Sequence, residues 1–303
     1  MKLIVTGTIG IDTIYTPAGE HREGVLGGSC AYFAAAASHY GPVRLVAAVG
    51  GDFPAEHRAT LAKFANIDAS GLEVRSGSRT FRWGGKYAEN MDERETLFTE
   101  LGVLEEAPPA IPGVFADSDC VFLANSHPAV QADLLSRLPA AKFVVADTMD
   151  LWINVARDEL TALLGKVNGL VLNYDEAELY TGLRNPVSAG QKMLEAGPDF
   201  VVVKKGEHGA ILVHRDGLSA LPAFPTANVV DPTGAGDTFA GGMMAHIAKT
   251  GDTSIDGIRR AMAHGTIIAS FTIETFSLER LAGITRSQID QRYAAFARML
   301  ALG

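Results

Sequence analysis

Asp231-Pro232-Thr233-Gly234-Ala235-Gly236-Asp237-Thr238-Phe239-Ala240-Gly241-Gly242 is the most informative stretch of the 303-residue chain. Gly234 and Gly236 allow backbone conformations closed to other residues and let amide N–H groups approach a ligand closely. An apolar helical pattern, Phe239 to Ala248, begins immediately behind them. A glycine-rich turn feeding a helix N-terminus is an anion site, with unpaired N–H groups and the positive end of the helix dipole. Asp237 falls in the first turn, where a carboxylate would repel a simple phosphate ligand. It makes sense there as the acceptor of a proton from a hydroxyl that attacks the phosphate. Read without that chemistry, Asp237 is an N-cap and the glycines are a turn.

Outward from this stretch, short β-branched runs alternate with helical patterns. Leu3–Thr6, Val43–Val49, Cys120–Ala124, Lys142–Ala146, Gly169–Leu172 and Phe200–Lys204 read as buried strands. Ser29–Tyr40, Ala55–Phe64, Ala129–Leu138, Leu151–Leu164 and Ser188–Ala196 read as helices between them, and Thr238–Lys249, Ile255–Ser270 and Arg286–Leu302 as helices that close the chain. The alternation predicts an α/β fold: three α/β/α layers around a mostly parallel sheet. Two insertions break it, at about 12–26 and 78–104, polar and aromatic-bearing, with Phe81, Trp83 and Tyr87 among polar residues. They read as exposed strands of a small β-lid over the C-terminal edge of the main sheet, where open α/β folds bind ligands. A long surface loop is the alternative. The whole chain, 1–303, reads as a single domain.

Hydrophobic residues make up 47% of the chain and charged residues 20%, enough apolar surface to exclude disorder as the main theme. A net charge of −9 argues against a nucleic-acid partner. Two cysteines, Cys30 and Cys120, are too few for a disulfide scaffold and fit a reducing, cytoplasmic compartment. No window approaches the ~18–20 apolar residues of a membrane span. The eight histidines are scattered without ligand spacing, so no metal cage is expected.

The stretch from Asp231 to Asp237 resembles the C-terminal signature of the ribokinase-like (PfkB) family of sugar and nucleoside kinases. Further similarities follow in the family's order: Gly27-Gly28 before the small-residue helix Ser29–Ser38; Asn173-Tyr174-Asp175-Glu176, like its Asn-x-x-Glu motif; and Val201 to Ala210, like the strand and glycine turn that carry the nucleotide. The resemblance runs from about Leu3 to Ala282. It implies a ribokinase-like fold, ATP as co-substrate and Mg²⁺ as cofactor. Asp237 would be the general base, and the amides of Gly234, Ala235 and Gly236 the anion hole. Asn173 and Glu176 would organise the Mg²⁺–phosphate–water network, Glu176 through water, although helix capping alone also explains both. Gly206 and Gly209 would let the backbone pass close to the nucleotide. Lys204 and Lys205 would add charge near the phosphates or stand solvated at a strand end. Asp231 and Thr233, faced by the loop around Ile273–Ser277, match positions that hold a monovalent cation such as K⁺.

At the acceptor end, Asp12 matches a carboxylate that grips substrate hydroxyls, beside Gly27 and Gly28. Gly10 and Tyr32 stand where sugar kinases of the family often carry Asn. Glycine and an aromatic ring open room and offer a flat face, which favours a bulkier acceptor such as a nucleoside over a small sugar. The resemblance thus implies a kinase that phosphorylates a hydroxymethyl group of a sugar or of a nucleoside's ribose. Exposed lid strands would pair with a second copy, giving a homodimer.

Other readings have less support. Gly27-Gly28-Ser29-Cys30-Ala31 resembles a nucleophile elbow, yet it follows a polar segment and no His-Gly-Gly-Gly loop lies upstream. There is no Gly-x₄-Gly-Lys-Ser/Thr, and no Gly-x-Gly-x-x-Gly after the first strand. A non-catalytic nucleotide sensor of the same fold would do better without Asp237.

Overall fold

The computed structural model describes residues 1–91 and 93–301. Nine strands form one sheet in the order Gly217–Leu221, Ala210–His214, Phe200–Lys204, Gly169–Asn173, Phe143–Asp147, Cys120–Leu123, Leu3–Thr6, Val43–Gly50 and Ile67–Arg75. The seven strands from Phe200–Lys204 onward are parallel, and an antiparallel hairpin closes the other edge. Successive residues of the central strands face different layers. Val5 and Phe122 belong to one apolar core, and Ile4 and Val121 to the other. Burial on both faces is what helices on either side of a parallel sheet require.

One layer holds Ser29–Ser38, buried along its whole length, against Ala235–Thr250, which packs in turn on Ile255–Thr272. Its alanines let the two helices approach closely: a Cβ on Gly241 would lie 2.4 Å from the Phe33 carbonyl oxygen. The Phe33 ring stacks on Phe122 of the sheet at 4.5 Å. The opposite layer packs Leu163, Ala177 and Met193 onto Ile4 and Leu170.

Several expectations need correction. Leu151–Leu164 is two helices, Asp150–Val155 and Arg157–Leu164, broken at Ala156, whose φ of −140° and ψ of 40° are not helical. Ile67–Arg75 is a strand the alternation rule missed, because an edge strand carries exposed polar residues such as Asp68 and Ser70. The hairpin at 210–221 was missed as well. The expected strand over 142–146 runs Phe143–Asp147, which places Asp147 at its C-terminal end. Leu302, expected within the last helix, lies outside the described residues.

The two stretches that interrupt the alternation supply a second sheet, in the order His21–Gly27, Gly10–Tyr15, Phe81–Tyr87, Arg94–Glu100. Phe81–Tyr87 is a strand, but its aromatic residues are not exposed: Trp83 and Tyr87 are buried in a small core with Ile14 and Phe276. Alternation explains the difference, since residues 83 and 87 face the same side of the strand.

Candidate active site

The Asp231–Asp237 stretch turns where its glycines demand it. Gly234 sits at φ 74° and caps the Ala235–Thr250 helix. A Cβ there would lie 2.3 Å from the Tyr32 ring, so glycine is required on both counts. Of the first-turn amides of this helix, that of Ala235 donates to the Pro232 carbonyl oxygen at 3.1 Å, while those of Gly236 and Asp237 precede any i−4 carbonyl within the helix. Gly236 lies against Lys204 at the end of its strand, where an added Cβ would stand 2.5 Å from the Lys204 Nζ. Lys204 is therefore the lysine beside the glycine turn. Lys205 lines the same cleft, its amide donating to the Gly209 carbonyl oxygen at 2.7 Å. Gly206 has φ 52° and Gly209 φ 84°; at Gly209 the missing Cβ admits the Leu221 carbonyl oxygen of the neighbouring strand.

Asp237 is hydrogen-bonded to Asp147, a residue that sequence reasoning missed. Burial pushes both carboxyls up, Asp237 to about 6, while the Lys204 ammonium pulls both down. The signal available was position, a carboxylate at the C-terminal end of a central strand, where open α/β sheets place ligands. Asn173 and Glu176 form a reciprocal cap: each backbone N–H donates to the other's side-chain oxygen at 2.8 Å. Capping is thus real, and it consumes one oxygen of each side chain. Burial raises the Glu176 carboxyl to about 7, against the pull of Lys204.

Asp12 and Gly27 meet: a Cβ on Gly27 would lie 1.9 Å from the Asp12 Oδ2. Gly28, at φ 92°, instead packs on the backbone of Thr8 and Ile9. Tyr32 is 1% exposed, its ring covered by Gly234, so it presents a hydroxyl edge rather than a flat face. Asp231 is fully buried. Its Oδ1 accepts from the Thr233 amide at 2.9 Å and its carboxylate also accepts from the Ser277 amide, while its own amide donates to the Ile273 carbonyl oxygen. The Thr233 hydroxyl is hydrogen-bonded to the Tyr87 hydroxyl of the small sheet at 2.9 Å. Desolvation, with Asp231 and Asp237 nearby, pushes the Asp12 carboxyl up to about 8.

Among the described residues, five buried polar atoms in this neighbourhood have no hydrogen-bond partner: Asp12 Oδ1, Tyr32 Oη, Asp147 Oδ1, Thr148 Oγ1 and Asp231 Oδ2. Each such group is costly unless something polar reaches it. In front of them opens a cleft of about 2010 Å³, lined by Asn173, Glu176, Lys204 to Ala210, Gly234 to Asp237, Asp147 and Arg94. The residues expected on the nucleotide side thus form an open wall, whereas Asp12 and Tyr32 are buried beside Asp237 and are not on it.

Magnesium takes hard oxygen ligands and keeps several waters. Glu176 retains one carboxylate oxygen beyond its cap, and Asp147 Oδ1 is unpartnered, so the donors present fit a hydrated Mg²⁺. Among the described residues no group of three or more His, Cys, Asp or Glu could hold a metal by itself. The described helices include none long and apolar enough to cross a membrane.

Comparison with known proteins agrees with this geometry. Residues 5–279 match the pfkB family carbohydrate kinase model. A cytidine kinase of Thermococcus kodakarensis is 32% identical over 257 residues, 82% of this chain and 89% of the relative. Among solved structures, the nucleoside kinase of Methanocaldococcus jannaschii superposes with a TM-score of 0.77 at 21% identity, over 97% of this chain and 99% of that one. The Burkholderia thailandensis nucleoside kinase in complex with inosine gives 0.78 at 18% identity, over 97% and 98%. The ribokinase-like α/β fold and the matched family model lead to one conclusion: this chain belongs to the pfkB family of carbohydrate kinases, phosphotransferases that act on an alcohol group.

Proposed function

We propose that the chain is an ATP-dependent kinase that phosphorylates the hydroxymethyl group of a nucleoside's ribose, with Asp237 as general base. The observation that carries this reading is the pairing of Asp237 with a helix N-terminus and the Lys204 ammonium in one cleft. Pure anion binding would be better served without that carboxylate.

The acceptor's O–H proton passes to Asp237 as the acceptor oxygen bonds to the γ-phosphorus. The bond from that phosphorus to the β–γ bridging oxygen breaks, and ADP leaves with the bond's electron pair. The first-turn amides of Ala235–Asp237, with that of Gly234, receive the charge spread over the transferring group. Lys204 adds a positive charge beside Gly236. Glu176, with Asn173 and Asp147 alongside, would hold Mg²⁺ through water, and the bound ion would supply charge neutralisation on the phosphates. Asp12 Oδ1 and the Tyr32 hydroxyl give the acceptor two buried hydrogen-bonding atoms. Asp231 Oδ2 and Thr233 offer oxygens to a K⁺-sized cation.

A nucleoside is favoured over a free sugar by the cytidine kinase relative; the room expected at Gly10 is taken by the Phe81 ring and the Tyr32 ring is covered by Gly234, so neither residue offers the open flat face expected of it. The small sheet acts as the lid, excluding water from the phosphates. Its Arg94–Glu100 edge is exposed throughout, with Leu97 44% and Phe98 38% exposed, which favours a homodimer formed by this sheet. Two free, buried cysteines suit a cytoplasmic location.

The test is an ADP-release assay with Mg-ATP against nucleosides, ribose-like sugars and hexoses, with Asp237→Asn as control. Turnover on nucleosides with a silent control supports the proposal. Turnover on sugars alone overturns the acceptor class, and ATP binding without any turnover points to the sensor reading.

A further inference from the structure

The cleft does not end at the glycine turns. It continues into a lobe between the segment that leaves the Gly217–Leu221 strand and the Ile255–Thr272 helix, lined by Ala223, Phe224, Thr266, Ala269, Ser270 and Ile273. Phe224 is half-buried, and its ring is held from behind. Arg292, on the Arg286–Leu300 helix, sets its Cζ 5.2 Å from the centroid of the Phe224 ring and 3.5 Å from that of Phe271. Arg292 does not line the cleft, so Phe224 carries the guanidinium on one face and turns the other to the lobe.

The guanidinium is itself fixed. It donates to the Ser270 hydroxyl at 3.0 Å and to the Glu274 carboxylate at 2.7 Å, and the Arg292 and Glu274 side chains are only 17% and 16% exposed. Glu274 also accepts from Arg280 at 2.8 Å. A ring locked in this way loses little freedom when a flat ligand lands on it.

The same contacts limit what the lobe can read. The Ser270 hydroxyl donates to the Ile267 carbonyl oxygen at 2.6 Å and accepts from Arg292. The Ile273 carbonyl oxygen accepts from the amides of Val230 and Asp231, and the Thr226 hydroxyl from the amide of Asn228. Discrimination by hydrogen bonds to a base edge needs polar atoms that are held in place and free. Thr266 offers a hydroxyl, which donates and accepts equally and so suits the edge of adenine or of guanine. Stacking, in turn, is open to any base, because every base has a π-face.

Resting on the ATP-dependent reading above, we infer that Phe224 is the platform on which the phosphate donor's purine ring stacks, with Arg292 as the positioning residue that holds it, and that the lobe takes ATP and GTP alike because it reads the ring's face rather than its edge.

The experiment measures the affinities of wild type, Phe224→Leu, Phe224→Ala, Arg292→Met and Arg292→Lys for Mg-ADP, Mg-GDP and Mg-tripolyphosphate, which offers phosphates without a base. Melting temperature checks that each variant folds. In wild type, Mg-ADP and Mg-GDP should bind within about tenfold of each other. Phe224→Leu keeps an apolar side chain but loses the flat face, and should weaken both diphosphates about tenfold; Phe224→Ala should weaken them about thirtyfold. Tripolyphosphate should stay within about twofold in both. Arg292→Met should weaken the diphosphates about fivefold, less so in the Phe224→Leu background, and Arg292→Lys should restore part of the loss. Diphosphate affinities within twofold of wild type in both Phe224 variants, or an equal loss for tripolyphosphate, overturn the platform and leave the kinase reading intact. Mg-GDP binding more than about tenfold weaker than Mg-ADP in wild type overturns the tolerance of the lobe. If wild type binds neither Mg-ADP nor Mg-tripolyphosphate, the ATP-dependent reading fails and the role of Phe224 with it.

Discussion

In the nine-stranded sheet, Leu3–Thr6 and Cys120–Leu123 are buried at every position; in the four-stranded sheet, Arg94–Glu100 is exposed at every position. The first sheet has two apolar cores of its own, one on each face. The second has a small apolar cluster of four buried residues, and one of them, Phe276, comes from the segment after the Ile255–Thr272 helix. The next residue, Ser277, donates its amide to Asp231 and its hydroxyl to the Leu26 carbonyl oxygen. The small sheet's order is thus completed by residues that also shape the candidate site. Regions of low independent stability are those recruited for ligand-dependent motion.

The largest effect should come from the large body's chemistry without touching its stability. Asp237→Asn should cost about 10²–10⁴-fold in kcat. Its Tm should stay equal or rise, because a desolvated carboxyl gives way to a neutral amide of the same shape that can still hydrogen-bond to Asp147. A collapse in Tm would mean that Asp237 is a structural cap after all.

Next comes a paired truncation. Phe122→Ala removes a fully buried ring stacked on Phe33 and should cost about 3–5 kcal/mol of global stability. Trp83→Ala should leave the global Tm within a few degrees, yet speed amide exchange across the small sheet and raise acceptor KM about tenfold. Equal losses of Tm in the two variants would erase the distinction between the sheets.

The same contrast explains what could be read from the chain. Strands such as Phe200–Lys204 and Leu3–Thr6 were legible because burial on both faces leaves an uninterrupted apolar run. Ile67–Arg75 was not, because at the sheet's edge burial no longer dictates composition. Within the candidate site, the glycines of the Asp231–Asp237 turn and the Asn173–Glu176 pair announce themselves by local spacing. Asp147 and Tyr87 do not. Each acts through a partner far away in sequence, as with Tyr87 and Thr233, 146 residues apart, and no local pattern encodes such a meeting. Tyr32 was legible as a departure from a family pattern, but only packing reveals that its ring is spent beneath Gly234.

Gly234→Ala probes that packing. The αL backbone alone costs about 1–2 kcal/mol for a residue with a Cβ, and the added methyl meets the Tyr32 ring. Both Tm and kcat should fall. Combining it with Tyr32→Leu should recover some stability without restoring rate, and full activity in the single variant would remove the turn's strict geometry from the mechanism. A gentler perturbation is pH. A base raised to about 6 must be deprotonated to act, so kcat should fall about tenfold per pH unit below that value and level off above it. A flat profile down to pH 5 would disconnect Asp237 from the rate.

The smallest expected effect links the two regions from the side of stability. Asp12 lies in the small sheet, and burial raises its carboxyl from 3.8 to about 8. The folded state therefore binds a proton that the unfolded state has released, and this group's contribution to stability is lost as pH rises from about 4 to about 8. Asp12→Asn keeps the shape and removes the titration. Relative to wild type, its stability by urea denaturation should be gained progressively as pH is raised from 5 to 8, with Tm higher by on the order of 2–5 °C at the upper end. Acceptor KM should rise in the same variant, because Asp12 Oδ1 is among the buried atoms left without a partner. A stability difference that does not change with pH would mean that Asp12 is already ionised in the fold. In that case the acceptor would meet a charged carboxylate rather than a protonated one.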